Sequence, residues 1–167
     1  MNLMQVLRRC EVFVGLSDDD LQKIAGLPSW RENTYAVGEF IFHEKDIAKD
    51  FYILEEGEIR LLVALDENQT GSTVKAPVDT ITKGDVFGWS SLVAPHSLVM
   101  SATCVKPSRV VSVNGAELSQ LFDCDLPLGY EVMKGLVRVI GARLRDLRRA
   151  FVSRRKLPSP EQKTRLA

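Results

Sequence analysis

Between Trp30 and Asn114 the sequence breaks into short β-rich runs, each cut off by glycine or another turn residue, and this texture narrows the fold more than any other feature. The runs are Glu39–Phe42, Phe51–Leu54, Glu58–Val63, Val78–Thr82, Leu98–Val105 and Val110–Val113. Gly38, Gly57, Gly71, Gly84 and Gly88 punctuate them. Glycine reaches positive φ without a Cβ clash, so it serves at sharp β corners. Spacings of this kind predict an all-β barrel or sandwich. The polar segment Asp66–Ser72 reads as an exposed hairpin loop.

Helical texture flanks this core. Leu3, Val6 and Leu7 share one face of a short helix within Met1–Cys10. Ser17 followed by Asp20 is a capping-box pattern that starts a second helix, with Leu21, Ile24 and Ala25 facing inward and Pro28 as its stop. Asn114, with Glu117 three residues on, caps a third helix whose apolar face is Leu118, Leu121 and Phe122. Asp125-Leu126-Pro127 breaks it and starts a last helix over about 128–155, since proline suits a first helical turn. Pro158 and Pro160 close that helix, and residues 157–167 read as a disordered tail.

Along the last helix Met133, Val137, Ile140, Leu144, Leu147 and Phe151 recur at alternating steps of 4 and 3, an a/d seam of nearly three heptads. Val132, Leu136 and Val139 form a second apolar set beside its first half. One set can dock on the chain's own core while the other pairs with a second copy, so a homodimer is expected. From Lys134 to Lys156 there are nine basic residues and one acid, Asp146. Such a run is usually a solvated helix face. No DNA binding is expected, because the residues after Lys156 cannot hold a helix-turn-helix.

Composition bounds the function. At 167 residues, with 45% hydrophobic and 26% charged residues, one globular domain is expected. The formal net charge is +0, so the whole chain has no general pull toward nucleic acid or anionic membrane. Cys10, Cys104 and Cys124 include no CxxC pair, which argues against a disulfide framework and for a reducing cytoplasm. Arg8, Arg9 and Glu11 interrupt any signal-peptide run, and the uncharged stretch Val86–Val105 is too rich in Ser, Thr, Pro and His for a membrane span. His43 and His96 are the only histidines and form no HxH pair, so no catalytic metal is implied. No GxSxG and no cysteine–histidine motif is present. The expectation is a non-catalytic protein with no cofactor.

The order of these pieces resembles the cyclic-nucleotide-binding domain of the cyclic AMP receptor and Fnr-like regulators, over roughly residues 5–155. Phe13-Val14-Gly15-Leu16-Ser17 is similar to the family's entry segment, Tyr35-Ala36-Val37-Gly38-Glu39-Phe40-Ile41 to its first glycine corner, and Phe51–Ile59 to its most recognisable stretch. Lys83-Gly84-Asp85-Val86-Phe87-Gly88 leads into its phosphate-binding cassette. Glu44-Lys45-Asp46 departs from the pattern, which usually has glycine in the middle. The resemblance implies a mainly β fold with flanking helices: a double-stranded β-helix, or jelly-roll-like β-roll, over about 30–114, N-terminal helices and a long C-terminal helix. The domain is expected to occupy 1–156 as a stand-alone unit without a DNA-binding domain.

The cassette decides function. The family pattern is Phe-Gly-Glu, two residues, Leu, a loop, then Arg-Ser/Thr-Ala. This chain has Phe87-Gly88-Trp89-Ser90-Ser91-Leu92, a loop, then Met100-Ser101-Ala102. Trp89 stands where the resemblance implies a ribose-binding Glu, and Met100 where it implies a phosphate-binding Arg. Indole only donates a hydrogen bond, and a thioether carries neither charge nor donor. Cyclic AMP or cyclic GMP binding is therefore expected to be weak, altered or lost. An altered, flatter ligand could stack on Trp89 in a pocket with Leu92, Met100 and His96. Two other readings stay open: a dimeric scaffold with no small-molecule ligand, and a genuine cyclic-AMP binder using non-standard contacts. In the sensor reading, an unidentified output protein would receive the signal.

Overall fold

The structure is a computed structural model that describes residues 2–65 and 74–154. The Asp66–Ser72 loop, the tail over 157–167 and the Phe151 side chain lie outside the described residues. Helices α1 (Leu3–Arg9) and α2 (Asp18–Ala25) precede strands β1 (Arg31–Tyr35), β2 (Phe40–Phe42), β3 (Asp50–Glu56), β4 (Ile59–Leu65), β5 (Val74–Ile81) and β6 (Val86–Phe87). A 3₁₀ helix (Trp89–Leu92), β7 (Ser101–Cys104) and β8 (Ser108–Asn114) follow, then α3 (Gly115–Cys124) and α4 (Leu126–Arg154).

The strands form two antiparallel four-stranded sheets, ordered β1-β8-β3-β6 and β2-β7-β4-β5. Side chains alternate across a strand, and the first sheet is covered on both faces. Ile53, Val86, Val111 and Val113 pack with the helices, against Phe13, Leu118 and Leu136. Their neighbours Leu54, Phe87 and Val110 point the other way, into a core shared with Ile59, Leu61 and Ala102. This is the expected mainly β roll with flanking helices.

The caps act as the sequence implies. Ser17 Oγ accepts from the Asp20 N–H at 3.1 Å, and Asn114 Oδ1 accepts from the Ala116 and Glu117 N–H groups. Asp125 Oδ1 accepts from the Leu128 N–H at 3.2 Å, capping the start of α4.

Two local differences have clear causes. The run Leu98–Val105 pairs as a strand only over Ser101–Cys104. Ahead of it, the carbonyls of His96 and Leu98 accept from Ala48 and Lys45, which binds this stretch to the β2–β3 corner instead. Lys45, at the position where the family favours glycine, adopts φ +74. Asp46 supports that corner by accepting the His43 N–H at 2.9 Å.

Helix α4 docks through Val132, Leu136 and Val139, all at most 5% exposed. Gly135 lies between them against the backbone of Val12, so close that any Cβ would collide with the Val12 carbonyl oxygen.

Candidate functional site

Strand β6 pairs with β3 through Tyr52–Phe87 and Ile53–Val86, and delivers the chain to Gly88. Gly88 adopts φ 70, and a Cβ there would lie 2.6 Å from the Tyr52 ring and 3.1 Å from the Asp50 carbonyl. Only glycine allows this turn so close to an aromatic wall. Tyr52 stacks on Phe87 with centroids 5.1 Å apart, and burial pushes its hydroxyl up to about 12. The turn launches the 3₁₀ helix, whose Ser91 packs against Gly115 at the start of α3.

The predicted cassette residues separate into different environments. Phe87 and Ala102 are fully buried between the sheets. Ser101 is buried, and its Oγ accepts the Glu44 N–H at 2.9 Å. Gly88, Trp89, Ser90 and Met100 converge, with Phe42, Leu61, Leu98 and Val99, on a cavity of about 30 Å³. That is space for one or two waters, whereas small-molecule pockets span roughly 300–1,000 Å³. No charged side chain lines it.

Leu92 and His96 do not join that cavity. Leu92 lines an open groove of about 530 Å³ with Phe122, Leu126, Tyr130 and Met133. Ser91 and His96 border another, near Lys49 and Asn114. The predicted grouping of Trp89, Leu92, Met100 and His96 around one hollow is therefore not observed: the turn of the 3₁₀ helix sends Leu92 toward α4, and the loop carries His96 toward α3.

A residue outside the predicted set reaches the cassette instead. Arg143 of α4 holds its guanidinium carbon 4.8 Å from the centre of the Trp89 ring. Its Nη2 donates to Glu11 Oε1 and to the Val86 carbonyl, both at 2.7 Å. Glu11 Oε1 also accepts the Val86 N–H at 2.9 Å. Burial pushes the Glu11 carboxyl up, and the Val86 N–H and Arg143 oppose that rise. In sequence Arg143 opens a basic run with the texture of a solvated face, yet its side chain is only 14% exposed. Its partners lie up to 132 residues away, so no local pattern could reveal them.

On α4 the predicted seam is only partly covered. Val137 and Leu144 are 68% and 65% exposed, while Met133 and Ile140 pack partly against the core. Leu126 and Tyr130, 71% and 65% exposed, continue the same spacing backward to the first turn. Among the described residues, no helix is long and apolar enough to cross a membrane.

Comparison with known proteins agrees with this architecture. A protein from Geobacter metallireducens assigned to cyclic nucleotide binding has a solved structure that superposes with a TM-score of 0.70 at 32% identity, covering 86% of this chain and 99% of that one. A cyclic nucleotide-binding domain from Methylobacillus flagellatus superposes with a TM-score of 0.74 at 14% identity, covering 91% and 82%. The cAMP-dependent protein kinase regulatory subunit of Schizosaccharomyces pombe is 30% identical over 105 residues, which is 63% of this chain. The chain spans only 22% of that subunit's length. The family model for the cyclic nucleotide-binding domain matches residues 32–125, from β1 through the cassette to the end of α3. With the roll, the glycine turn at Gly88 and the 3₁₀ helix all in the family's order, this chain belongs to the cyclic nucleotide-binding domain family.

Proposed function

We propose that this domain is a non-catalytic regulatory module in which Trp89 and Met100 fill the cyclic-nucleotide pocket, and which works as a homodimer through α4, passing its state to an output partner. The carrying observation is the cavity of about 30 Å³ between Trp89 and Met100, with no charged lining. A cyclic nucleotide needs room for a sugar and a partner for its phosphate. Hydrogen bonds to charged groups contribute about 1.5–3 kcal/mol each. Losing the acid and the cation together weakens a micromolar site by roughly a hundredfold to ten-thousandfold. Isothermal titration of the purified protein with cyclic AMP and cyclic GMP is expected to give no saturable heat below about 100 μM ligand. A dissociation constant of a few micromolar for either would refute the filled pocket.

The dimer reading rests on the exposed stripe Leu126, Tyr130, Val137 and Leu144, carried by a helix whose other apolar face is already buried. Each large apolar side chain taken fully out of water contributes roughly 1.5–3 kcal/mol. Val137→Glu combined with Leu144→Glu is expected to halve the mass measured by light scattering without unfolding the roll, because both side chains face solvent in the single chain. An unchanged dimer mass would place the interface elsewhere.

A further inference from the structure

The seam assigns heptad positions along α4. With Tyr130, Val137 and Leu144 at a, and Met133, Ile140 and Leu147 at d, Arg143 falls at g and Arg148 at e. In a parallel two-stranded coiled coil a g residue faces the e residue five positions further along the other chain. Two copies of this helix would therefore set Arg143 against Arg148 of the partner subunit, twice by symmetry. Like charges at those positions oppose pairing.

The folded chain removes that conflict. Arg143 does not flank the seam but turns into the roll, where Glu11 accepts one of its N–H bonds and Asp79 Oδ2 lies 3.6 Å from Nε. Trp89 presents its ring face to the same cation. The contacts come from the α1–α2 connection, from β5, from β6 and from the 3₁₀ helix of the cassette. Beyond Ile140, which packs partly against the core, Arg143 supplies the hydrogen bonds and ion pairs that tie the distal half of α4 to the roll among the described residues.

We propose that Arg143 is a positioning residue for dimerisation: Glu11 and Asp79 neutralise it, Trp89 helps to hold it, and this masking makes the distal half of α4 competent to pair with a second copy. The inference rests on the dimer reading above and gives the cassette a route to it. Whatever shifts Trp89 or the β6 turn changes whether the Arg143 charge faces the roll or the partner.

The test keeps shape and alters charge. In Glu11→Gln with Asp79→Asn, the two neighbours keep their size but no longer neutralise Arg143. Sedimentation at low salt is expected to show dimerisation weakened about tenfold or more, with recovery at 1 M salt, where the Debye length falls to about 3 Å. Adding Arg143→Gln or, separately, Arg148→Gln to that variant is expected to restore the parent dimer at low salt. A purely structural role for the ion pairs would give neither the salt recovery nor the Arg148 rescue. Equal dimerisation of parent and variant, or weakening that salt and Arg148→Gln leave untouched, overturns the proposal. A parent that is monomeric throughout overturns the dimer reading itself and the proposal with it, an outcome distinct from a dimer indifferent to Glu11 and Asp79.

Discussion

Trp89→Glu together with Met100→Arg is expected to raise the affinity for cyclic AMP about a hundredfold to ten-thousandfold. The two substitutions place an acid and a cation at the two cassette positions that carry Trp89 and Met100. A carboxylate at 89 can accept from a ribose hydroxyl, and a guanidinium at 100 can meet the cyclic phosphate with a forked pair of bonds. At about 1.5–3 kcal/mol for each contact to a charged group, the sum of about 3–6 kcal/mol gives that range. Trp89→Glu also opens the space, since the Trp89 side chain is one wall of the small cavity. Met100→Arg alone is expected to gain less, because position 89 still offers no acceptor to a ribose hydroxyl. Trp89→Glu also removes the ring beneath Arg143. Dimerisation should be followed in the same samples, so that a loss of Arg143 masking is read separately from a gain of ligand. Calorimetric titration of the parent, both single variants and the pair gives the cycle. No gain in the double variant would mean that Phe87–Ala102 does not form the nucleotide cassette.

Gly135→Val is expected to destabilise the domain by about 3 kcal/mol or more, a drop of roughly 6–12 °C in Tm for a chain of this size. Glycine inside a helix is ordinarily a weakness, and replacing it with alanine stabilises an exposed position by about 1 kcal/mol. At Gly135 that sign reverses. A Cβ would strike the Val12 carbonyl oxygen and lie 3.1 Å from its carbon, and the obstacle is backbone, which cannot rotate away. Gly141, six residues further on, supplies the control: a Cβ there meets only the mobile end of Arg145 at 3.5 Å. Gly141→Ala should therefore raise Tm slightly while Gly135→Ala lowers it. Thermal denaturation of the three variants decides the matter, and a stabilised Gly135→Ala would show that α4 does not rest on the Val12 segment. The lever is long, because Arg138 and Arg143 grip the neighbouring Glu11, through its carbonyl and its carboxylate.

Much of this architecture was legible in the residues themselves. The caps Ser17 and Asn114 act locally, over three residues, so a linear pattern carries their whole meaning. The glycine at 88 marks a turn that its φ of 70 explains. The two apolar sets of α4 are separable by eye, and the set beside the seam is the one that buries. The strand over Leu98–Val105 was overextended because alternation cannot tell a partner strand from a corner loop that captures the same carbonyls. Lys45 shows the reverse case: a residue poorly suited to positive φ is held there by hydrogen bonds from the surrounding corner.

The sequence alone determined a β-rich core flanked by helices, the helix caps, and a tryptophan and a methionine at cassette positions 89 and 100, since each depends on residue type or on neighbours a few positions apart; β1 (Arg31–Tyr35) and β6 (Val86–Phe87) lay outside its predicted runs. Only the tertiary structure decided that Trp89 and Met100 close on one small cavity while Leu92 and His96 turn away, and that Arg143 leaves a charged helix face to join Glu11, Asp79 and Trp89. Those outcomes rest on contacts between elements far apart in the chain. Whether a side chain meets solvent, a counter-charge or a ring there depends on how the elements pack, which no run of adjacent residues encodes.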